Sequence, residues 1–153
     1  MSGKFDSRHP LVGLVDETSR LNGRLKSVFA ESRQSVGLND SEIMVLNAVV
    51  EADHAPTVSQ IGRSLGHARQ LVQRAANSLQ DAGLIEMTDN PGHKRAQLLT
   101  PTEKGIALKR KADALAEGIA EELMPALDKN GVREATLALR DLRKQLEARL
   151  RAS

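Results

Sequence analysis

The segment from residue 57 to residue 83 constrains the fold most, because two helical patterns lie there with only a few residues between them. Thr57 is a suitable N-cap for a short first helix, and Gly66 ends it. A second helix is predicted from about residue 68 to residue 82, with Gly83 as its C-terminal stop. The inward apolar positions of the first helix are Val58, Ile61 and Leu65. This arrangement predicts a helix-turn-helix, whose second helix is the one that enters a DNA major groove.

The second helical pattern divides into an apolar face and a polar face. With successive residues about 100° apart, the apolar face holds Ala68, Leu71, Val72, Ala75 and Leu79. The opposite face holds Arg69, Gln70, Gln73, Arg74 and Asn77. Arg pairs with guanine O6 and N7, and Gln or Asn pairs with adenine N6 and N7. The polar face lacks the Glu and Lys that ordinary solvated faces prefer, although by itself it also fits a plain solvated surface.

Two strand-like segments, residues 84–88 and 96–100, follow this helix and predict a β-hairpin. The loop between them contains Pro91 and Gly92, which suit the central positions of a type II turn because Gly accepts a positive φ. The loop also carries His93, Lys94 and Arg95. A basic hairpin tip beside a reading helix is suited to the DNA backbone or to an A/T-rich minor groove, whose negative potential attracts Arg. The alternative is that these are solvated loop charges.

Helical patterns flank this centre on both sides. Residues 11–33 form the first, and a helix capped by Asn39, Asp40 or Ser41 follows a break at Gly37. That second helix is expected to bury Ile43, Leu46, Val49 and Val50. After the hairpin, a long helix opens at Pro101 and Thr102 and reaches about Leu123, before Pro125.

Apolar stripes mark the first and last of these helices. The stripes are Leu11, Leu14, Leu21, Leu25 and Val28, and in residues 131–151 Val132, Ala135, Leu139, Leu142, Leu146 and Leu150. They fit either a dimer seam or packing onto their own domain. The predicted fold is mainly α with a small β-hairpin wing (α+β).

Charge is distributed unevenly along the chain. Residues 57–110 contain eight Lys and Arg against four Asp and Glu, so this segment carries +4, while the whole chain carries only +2. Such an excess is expected of a module that binds anions. An excess of four charges over one segment also arises by chance, so it supports a nucleic-acid partner without establishing it.

Composition narrows the class of protein. Hydrophobic residues at 40% and charged residues at 27% fit a folded domain, and no apolar run is long enough for a membrane span. The polar N-terminus lacks the features of a secretion signal, so we expect a cytoplasmic protein. Cysteine is absent, which excludes disulfides and thiol sensing.

Signals for catalysis or cofactors are also lacking in the sequence. The four histidines, His9, His54, His67 and His93, do not have metal-ligand spacing. A Gly-rich phosphate loop, a nucleophile elbow and a metalloprotease helix are all missing. We therefore expect neither an enzyme nor a bound cofactor.

Taken together, these segments resemble the MarR family of winged helix-turn-helix transcriptional regulators. The resemblance is close over about residues 38–110 and extends to the flanking helices by pattern only. It rests on Val58-Ser59-Gln60-Ile61-Gly62-Arg63-Ser64-Leu65-Gly66, Arg69 through Leu79, Gly83-Leu84-Ile85, Asn90-Pro91-Gly92-His93-Lys94-Arg95-Ala96 and Leu99-Thr100-Pro101-Thr102-Glu103-Lys104-Gly105. The last two are similar to the family's wing signature, Asp-Pro-x-Asp-x-Arg, and to the Leu-Thr-x-x-Gly pattern after it.

The resemblance implies one MarR-like domain over residues 1–153, with a winged helix-turn-helix at 38–100 and dimerisation helices at 11–33 and 105–151. It implies a homodimer with interleaved terminal helices on a palindromic operator in double-stranded DNA, and it places Arg95 near a minor groove. Family members commonly bind a small-molecule effector, but with two Phe and no Trp or Tyr this sequence identifies no pocket. The expected DNA-binding residues are Ser59, Arg69, Gln70, Gln73, Arg74, Asn77, His93, Lys94 and Arg95.

Two departures from the family pattern affect the expected DNA contacts. Asn90 and His93 stand where the wing signature has Asp, so the carboxylate that would orient the wing Arg is missing. Ala68 stands where Ser or Thr is frequent, which removes a cap or phosphate contact. The sequence thus predicts a sequence-specific, homodimeric DNA-binding repressor. The alternatives are a winged-helix protein-interaction module without DNA binding and a small enzyme without a recognisable motif.

Overall fold

The computed structural model describes residues 9–93 and 95–152. Its elements follow in the order α1 (Pro10–Val28), α2 (Ala30–Gln34), α3 (Asp40–Glu51), α4 (Val58–Leu65), α5 (Arg69–Asp81), β1 (Ile85–Thr88), β2 (Leu98–Pro101), α6 (Glu103–Leu123) and α7 (Lys129–Ala152). A single 3-10 turn, Met124–Ala126, lies between α6 and α7. The predicted fold class, mainly helical with one small antiparallel hairpin, is confirmed.

The described residues divide into two compact units, one ending at Ala116 and the other beginning at Glu117. The first unit holds α1 to α5, the hairpin and most of α6. The second holds the end of α6, the 3-10 turn and α7. None of the helices in the described part of the chain is both long and apolar enough to cross a membrane.

The segment predicted as one helix over residues 11–33 is divided at Phe29. The φ and ψ angles of Phe29 are −98° and 5°, and its N–H still bonds to the carbonyl of Leu25 at 3.1 Å. The Ser32 hydroxyl donates to the Phe29 carbonyl at 2.7 Å, so the broken turn keeps a hydrogen-bond partner. A local side-chain bond of this kind competes with helix continuation, which explains the division.

The core of the first unit lies where α3, α4, α5 and the hairpin meet. Of the four residues expected to be buried on α3, Leu46 and Val49 are buried, whereas Ile43 and Val50 are only partly buried. Val45, which the helical pattern did not select, is 2% exposed. The buried apolar residues are Val45, Leu46, Val49, Val58, Ile61, Val72, Ala75, Ala76, Leu79, Leu84, Ile85 and Leu99.

Capping residues set where α3 and α4 begin. Asn39 and Glu42 form a reciprocal capping box on α3, and Thr57 and Gln60 form one on α4. The second carboxylate oxygen of Glu42 accepts a bond from the Ser78 hydroxyl at 2.8 Å, which fastens the start of α3 to α5. The predicted cap Thr57 is confirmed, and of the three candidate caps of α3 it is Asn39 that forms the bond.

The hairpin is fixed on both of its sides. Strands β1 and β2 pair antiparallel, with Met87 opposite Leu99, and the Leu99 N–H donates to the Pro56 carbonyl at 2.8 Å. At the other end, Thr102 donates its N–H to the Leu84 carbonyl at 3.1 Å, and its hydroxyl accepts from the Gly105 N–H at 3.0 Å. Thr102 therefore caps α6 and joins it to the start of β1. These bonds hold the hairpin beside α4 and α5.

One buried charge links α6 to α3. Lys109 is 8% exposed, and its ammonium contacts Glu51 at 3.2 Å and Asp113 at 2.5 Å. Burial alone would lower the pKa of Lys109. The hydrogen bonds and charges of Asp113 and Glu51 outweigh that effect and raise the pKa above its ordinary value of 10.5.

Candidate nucleic-acid interface

The turn before α5 is set by a left-handed glycine. Gly66 has φ 70° and ψ 31°, and the next residue, His67, donates its N–H to the Gly62 carbonyl at 2.9 Å. A Cβ on Gly62 would lie 3.0 Å from the His67 carbonyl oxygen, so the chain passes very close to α4 here. This close approach forms the turn of the helix-turn-helix that the sequence predicts.

The start of α5 is open to an anion. Ala68 is the N-cap, it is exposed, and it supplies no side-chain hydrogen bond to the first turn. The free N–H groups of a first turn and the positive end of the helix dipole favour phosphate oxygens. Losing a Ser or Thr cap at this position therefore leaves backbone donors available.

The apolar face of α5 is narrower than the sequence predicted. Val72, Ala75, Ala76 and Leu79 are each 5% exposed or less. Leu71, which was expected on this face, is 38% exposed because it lies at the edge of the apolar arc, and the prediction for Leu71 is wrong. Ala68 is exposed as well.

The opposite face presents the predicted reading residues to solvent. Arg69, Gln70, Arg74 and Asn77 are exposed and Gln73 is half-buried. The Gln73 Nε2 group donates to Asn77 Oδ1 at 3.0 Å, one helical turn further on. The whole polar set therefore remains accessible to a partner.

A cleft of about 500 Å³ lies between α4, the start of α5 and the hairpin loop. It is lined by Thr57, Ser59, Gln60, Arg63, Arg69, Asn90, His93, Arg95 and Ala96. A narrower extension reaches Gln73 and Met87 and shares Ser59, Arg69 and Arg95 with the cleft. Two elements and a loop that are separate in sequence thus meet at one surface.

The cleft is strongly basic. Arg63, Arg69 and Arg95 are exposed, and no described residue forms a hydrogen bond or an ion pair with any of the three guanidinium groups. None of the described residues that line the cleft is acidic. Three unneutralised cations around one concave surface create the positive potential that attracts a polyanion.

The hairpin loop is organised by Asn90. The Asn90 side-chain oxygen accepts from the Gly92 N–H at 3.0 Å, and the Asn90 carbonyl accepts from the His93 N–H at 3.1 Å. Gly92 does not have a positive φ, so the predicted type II turn is wrong. The side-chain bond of Asn90 favours a type I-like turn, which accepts Pro91 equally well. Lys94 lies outside the described residues.

The structure brings only some of the predicted site residues into the cleft. Ser59, Arg69, His93 and Arg95 line it, and Gln73 reaches its narrow extension. Gln70, Arg74 and Asn77 lie on the exposed face of α5 and do not line the cleft.

Five lining residues were missed by the sequence reasoning: Thr57, Gln60, Arg63, Asn90 and Ala96. Arg63 had a usable signal, because it is four residues after Ser59 and therefore lies on the same face of α4. The described residues contain no group of three potential metal ligands.

The geometry defines a class of protein: a helix-turn-helix whose second helix lies beside a basic hairpin is a winged helix-turn-helix protein. A family model described as "MarR family" matches residues 36–96. An uncharacterized protein of Mycobacterium tuberculosis is 41% identical over 81 residues, which cover 50% of this chain and 57% of that protein. The HTH-type transcriptional regulator PrsX of Escherichia coli is 28% identical over 88 residues, which cover 57% of this chain and 53% of PrsX. The chain spans little more than half the length of these relatives.

Solved structures have the same fold over most of the chain. A MarR-family regulator from Rhodococcus sp. RHA1 has a TM-score of 0.78 at 18% identity, covering 89% of this chain and 96% of that one. CouR from Rhodococcus jostii RHA1, bound to p-coumaroyl-CoA, has a TM-score of 0.72 at 19% identity, with coverage of 87% and 91%. A cysteine-to-serine mutant of Escherichia coli MarR with operator DNA has a TM-score of 0.73 at 20% identity, with coverage of 92% and 99%. The resemblance to the MarR family of transcriptional regulators is confirmed over residues 36–96, which the family model matches.

Proposed function

We propose that the chain is a sequence-specific double-stranded DNA-binding regulator that represses transcription as a homodimer. The observation that carries this proposal is the basic cleft, in which Arg63, Arg69 and Arg95 converge without a described acidic partner. Phosphate neutralisation by Arg supplies most of the affinity of such proteins for DNA.

In this proposal α5 enters the major groove. The polar face of α5, formed by Arg69, Gln70, Gln73, Arg74 and Asn77, lies against the base edges, and the open first turn of α5 accepts a phosphate. The hairpin then carries Arg95 towards the adjacent minor groove or the backbone. Ser59 and Arg63, one turn apart on α4, face the backbone between these two contacts.

The homodimer is supported by apolar surface on the terminal helices. Neither α1 nor α7 contains a buried residue. Exposed apolar residues instead run along both helices: Leu11, Val12, Val15, Leu21, Leu25 and Val28 on α1, and Val132, Leu137, Leu139, Leu142 and Leu146 on α7. Contiguous apolar patches of this kind are typical of an interface. A two-fold dimer also places two reading helices on the two halves of a palindromic operator.

A small-molecule effector belongs to the same proposal, and its chemistry is unassigned. One solved neighbour is described with p-coumaroyl-CoA, and another, BpsR of Bordetella bronchiseptica, is described as regulated by 6-hydroxynicotinic acid. In this chain an open cleft of about 460 Å³ lies where α2 meets the start of α3, beside the Arg33–Asp40 ion pair of 2.7 Å. This cleft is the place where effector binding should first be sought.

The proposal is tested by measuring the affinity of the purified chain for duplex DNA as a function of salt. The logarithm of the binding constant should fall linearly with the logarithm of salt concentration, with a slope of about −0.9 for each phosphate neutralised. Binding that does not depend on salt, or no binding at low salt, would overturn DNA recognition. The chain would then be a winged-helix module that binds other proteins.

A further inference from the structure

Two carboxamides on the exposed face of α5 are joined by a hydrogen bond with a defined direction. Gln73 donates from Nε2 to Asn77 Oδ1 at 3.0 Å, and the two residues are one helical turn apart. Gln73 is half-buried at the narrow end of the basic cleft, whereas Asn77 is exposed. The bond therefore restrains a side chain that already has limited room to rotate.

The direction of this bond determines which hydrogen-bonding groups of Gln73 remain free to contact a base. A carboxamide has two N–H donors and one carbonyl oxygen. With one N–H directed to Asn77, Gln73 keeps its Oε1 acceptor and its second N–H. This acceptor–donor pair is complementary to adenine N6 and N7 in the major groove. In the reverse arrangement Oε1 would be occupied by Asn77, and Gln73 would offer mainly donors, which suit guanine O6 and N7.

The acceptor–donor pair of Gln73 lies beside two cations of the basic cleft. Gln73 shares the narrow extension of the cleft with Arg69, on the same face of α5, and with Arg95 from the hairpin loop. Both neighbours are cations, and among the described residues neither of them donates a hydrogen bond to the side-chain oxygen Oε1 of Gln73. The Oε1 acceptor is thus available.

We propose that Asn77 is a positioning residue that holds the Gln73 carboxamide in the orientation that reads adenine, so that Gln73 specifies one A·T pair in each half-site. The inference rests on the proposed DNA binding. It specifies the base that Gln73 contacts, and it adds Asn77 as the residue that orients Gln73 for this contact.

The test compares base preference across four test variants and one control variant on a panel of duplexes. The panel starts from the preferred site of the wild type and varies every base pair in turn. Gln73→Ala should lose discrimination at one A·T pair by roughly 5- to 100-fold and so identify the position. Asn77→Ala should lose much of the discrimination at that same pair and little elsewhere. The double variant should be no less selective there than Gln73→Ala.

Asn77→Asp separates positioning from affinity. Asp keeps an oxygen acceptor for the Gln73 N–H but adds a negative charge near the phosphates. It should therefore retain the A·T preference while binding every duplex more weakly. Gln80→Ala, at another exposed amide of α5, is the matched control and should change neither preference nor affinity.

Two results would overturn the inference and leave the proposed DNA binding standing. The first is a preference at the Gln73-dependent pair for G·C over A·T. The second is full A·T discrimination by Asn77→Ala. Absence of any salt-sensitive binding by the wild type would instead overturn the proposed function, so the two failures are distinguishable.

Discussion

Gly105, in the first turn of α6, lies directly against the Leu84 carbonyl group at the start of β1. A Cβ at position 105 would overlap the backbone oxygen of Leu84, so only glycine fits. Thr102 bonds both to Leu84 and to the Gly105 N–H, which holds the two segments at this separation. The contact fixes the hairpin relative to α6.

Substitution of Gly105 by Ala should destabilise the fold. Because the overlapping atom belongs to the backbone, relief requires α6 or β1 to move, at a cost of about 1–3 kcal/mol or more. Gly118→Ala is the matched control: it lies on the same helix with nothing described within 4 Å of the added Cβ, and should be neutral or stabilising by up to about 1 kcal/mol. Urea unfolding of the three proteins makes the comparison, and equal free energies of unfolding for the two variants would contradict the packing described.

The buried Lys109 predicts a second effect on stability. Lys109→Gln removes a charge-assisted link to Glu51 and Asp113, and should lower the free energy of unfolding by about 1.5–3 kcal/mol at neutral pH. Lys111→Gln, an exposed lysine on the same helix, should change it by less than about 0.5 kcal/mol. Chemical denaturation at pH 7 measures both values.

The Lys109 contribution should also depend on pH, with a sign that follows from its raised pKa. A pKa that is higher in the folded than in the unfolded state gives stability that is fully present below about 10.5 and is lost as pH rises through the folded pKa. The difference between wild type and Lys109→Gln should therefore be constant at neutral pH and shrink above pH 10.5. A difference that grows in alkali would refute the ion-pair assignment.

Local patterns predicted the element order, the caps Asn39 and Thr57 and the polar face of α5, because those features depend on residues near in sequence. Burial depends on what packs against each helix. Leu71 was therefore wrongly predicted to lie on the buried face, and the burial of Val45 was not predicted. The turn at Gly92 was misread because the Asn90 side chain, rather than the glycine, sets its geometry. The sequence alone could not predict that Arg63 lines the cleft, because the hairpin loop that closes the cleft is some thirty residues away along the chain.

Arg95 and Arg69 should have different effects on DNA binding. Arg95→Ala should weaken binding to all duplexes, chiefly those with A/T-rich flanks. It should also reduce the magnitude of the salt slope, that is, of the slope of the logarithm of the binding constant against the logarithm of salt concentration, by about one. Arg69→Ala should instead relax base preference at one major-groove position by roughly 1–3 kcal/mol. Fluorescence anisotropy over a salt series separates these outcomes.

Arg110→Ala is the control for both variants, because Arg110 is exposed on α6 and does not line the cleft. It should leave the salt slope and the base preference unchanged. An Arg95 variant with the affinity and salt slope of the wild type would remove the hairpin from the interface.

A charge on the apolar stripe of α1 should disrupt the homodimer. Leu25 is 45% exposed in the single chain, so Leu25→Glu should have little effect on folding of the protomer yet bury a charge at the proposed interface. Ser19→Glu adds the same charge at an exposed polar position of α1 and should leave the dimer intact. Analytical ultracentrifugation reports the masses, and a wild-type monomer at micromolar concentration would contradict the dimer.

Selection from randomised duplexes at moderate salt tests the central claim most directly. The wild-type chain should enrich a palindrome whose half-sites are about 10–10.5 base pairs apart, because a two-fold dimer places its two α5 helices in successive major grooves. Enrichment of no sequence by the folded protein would contradict the assignment of α5 as a reading helix and of the chain as a sequence-specific regulator.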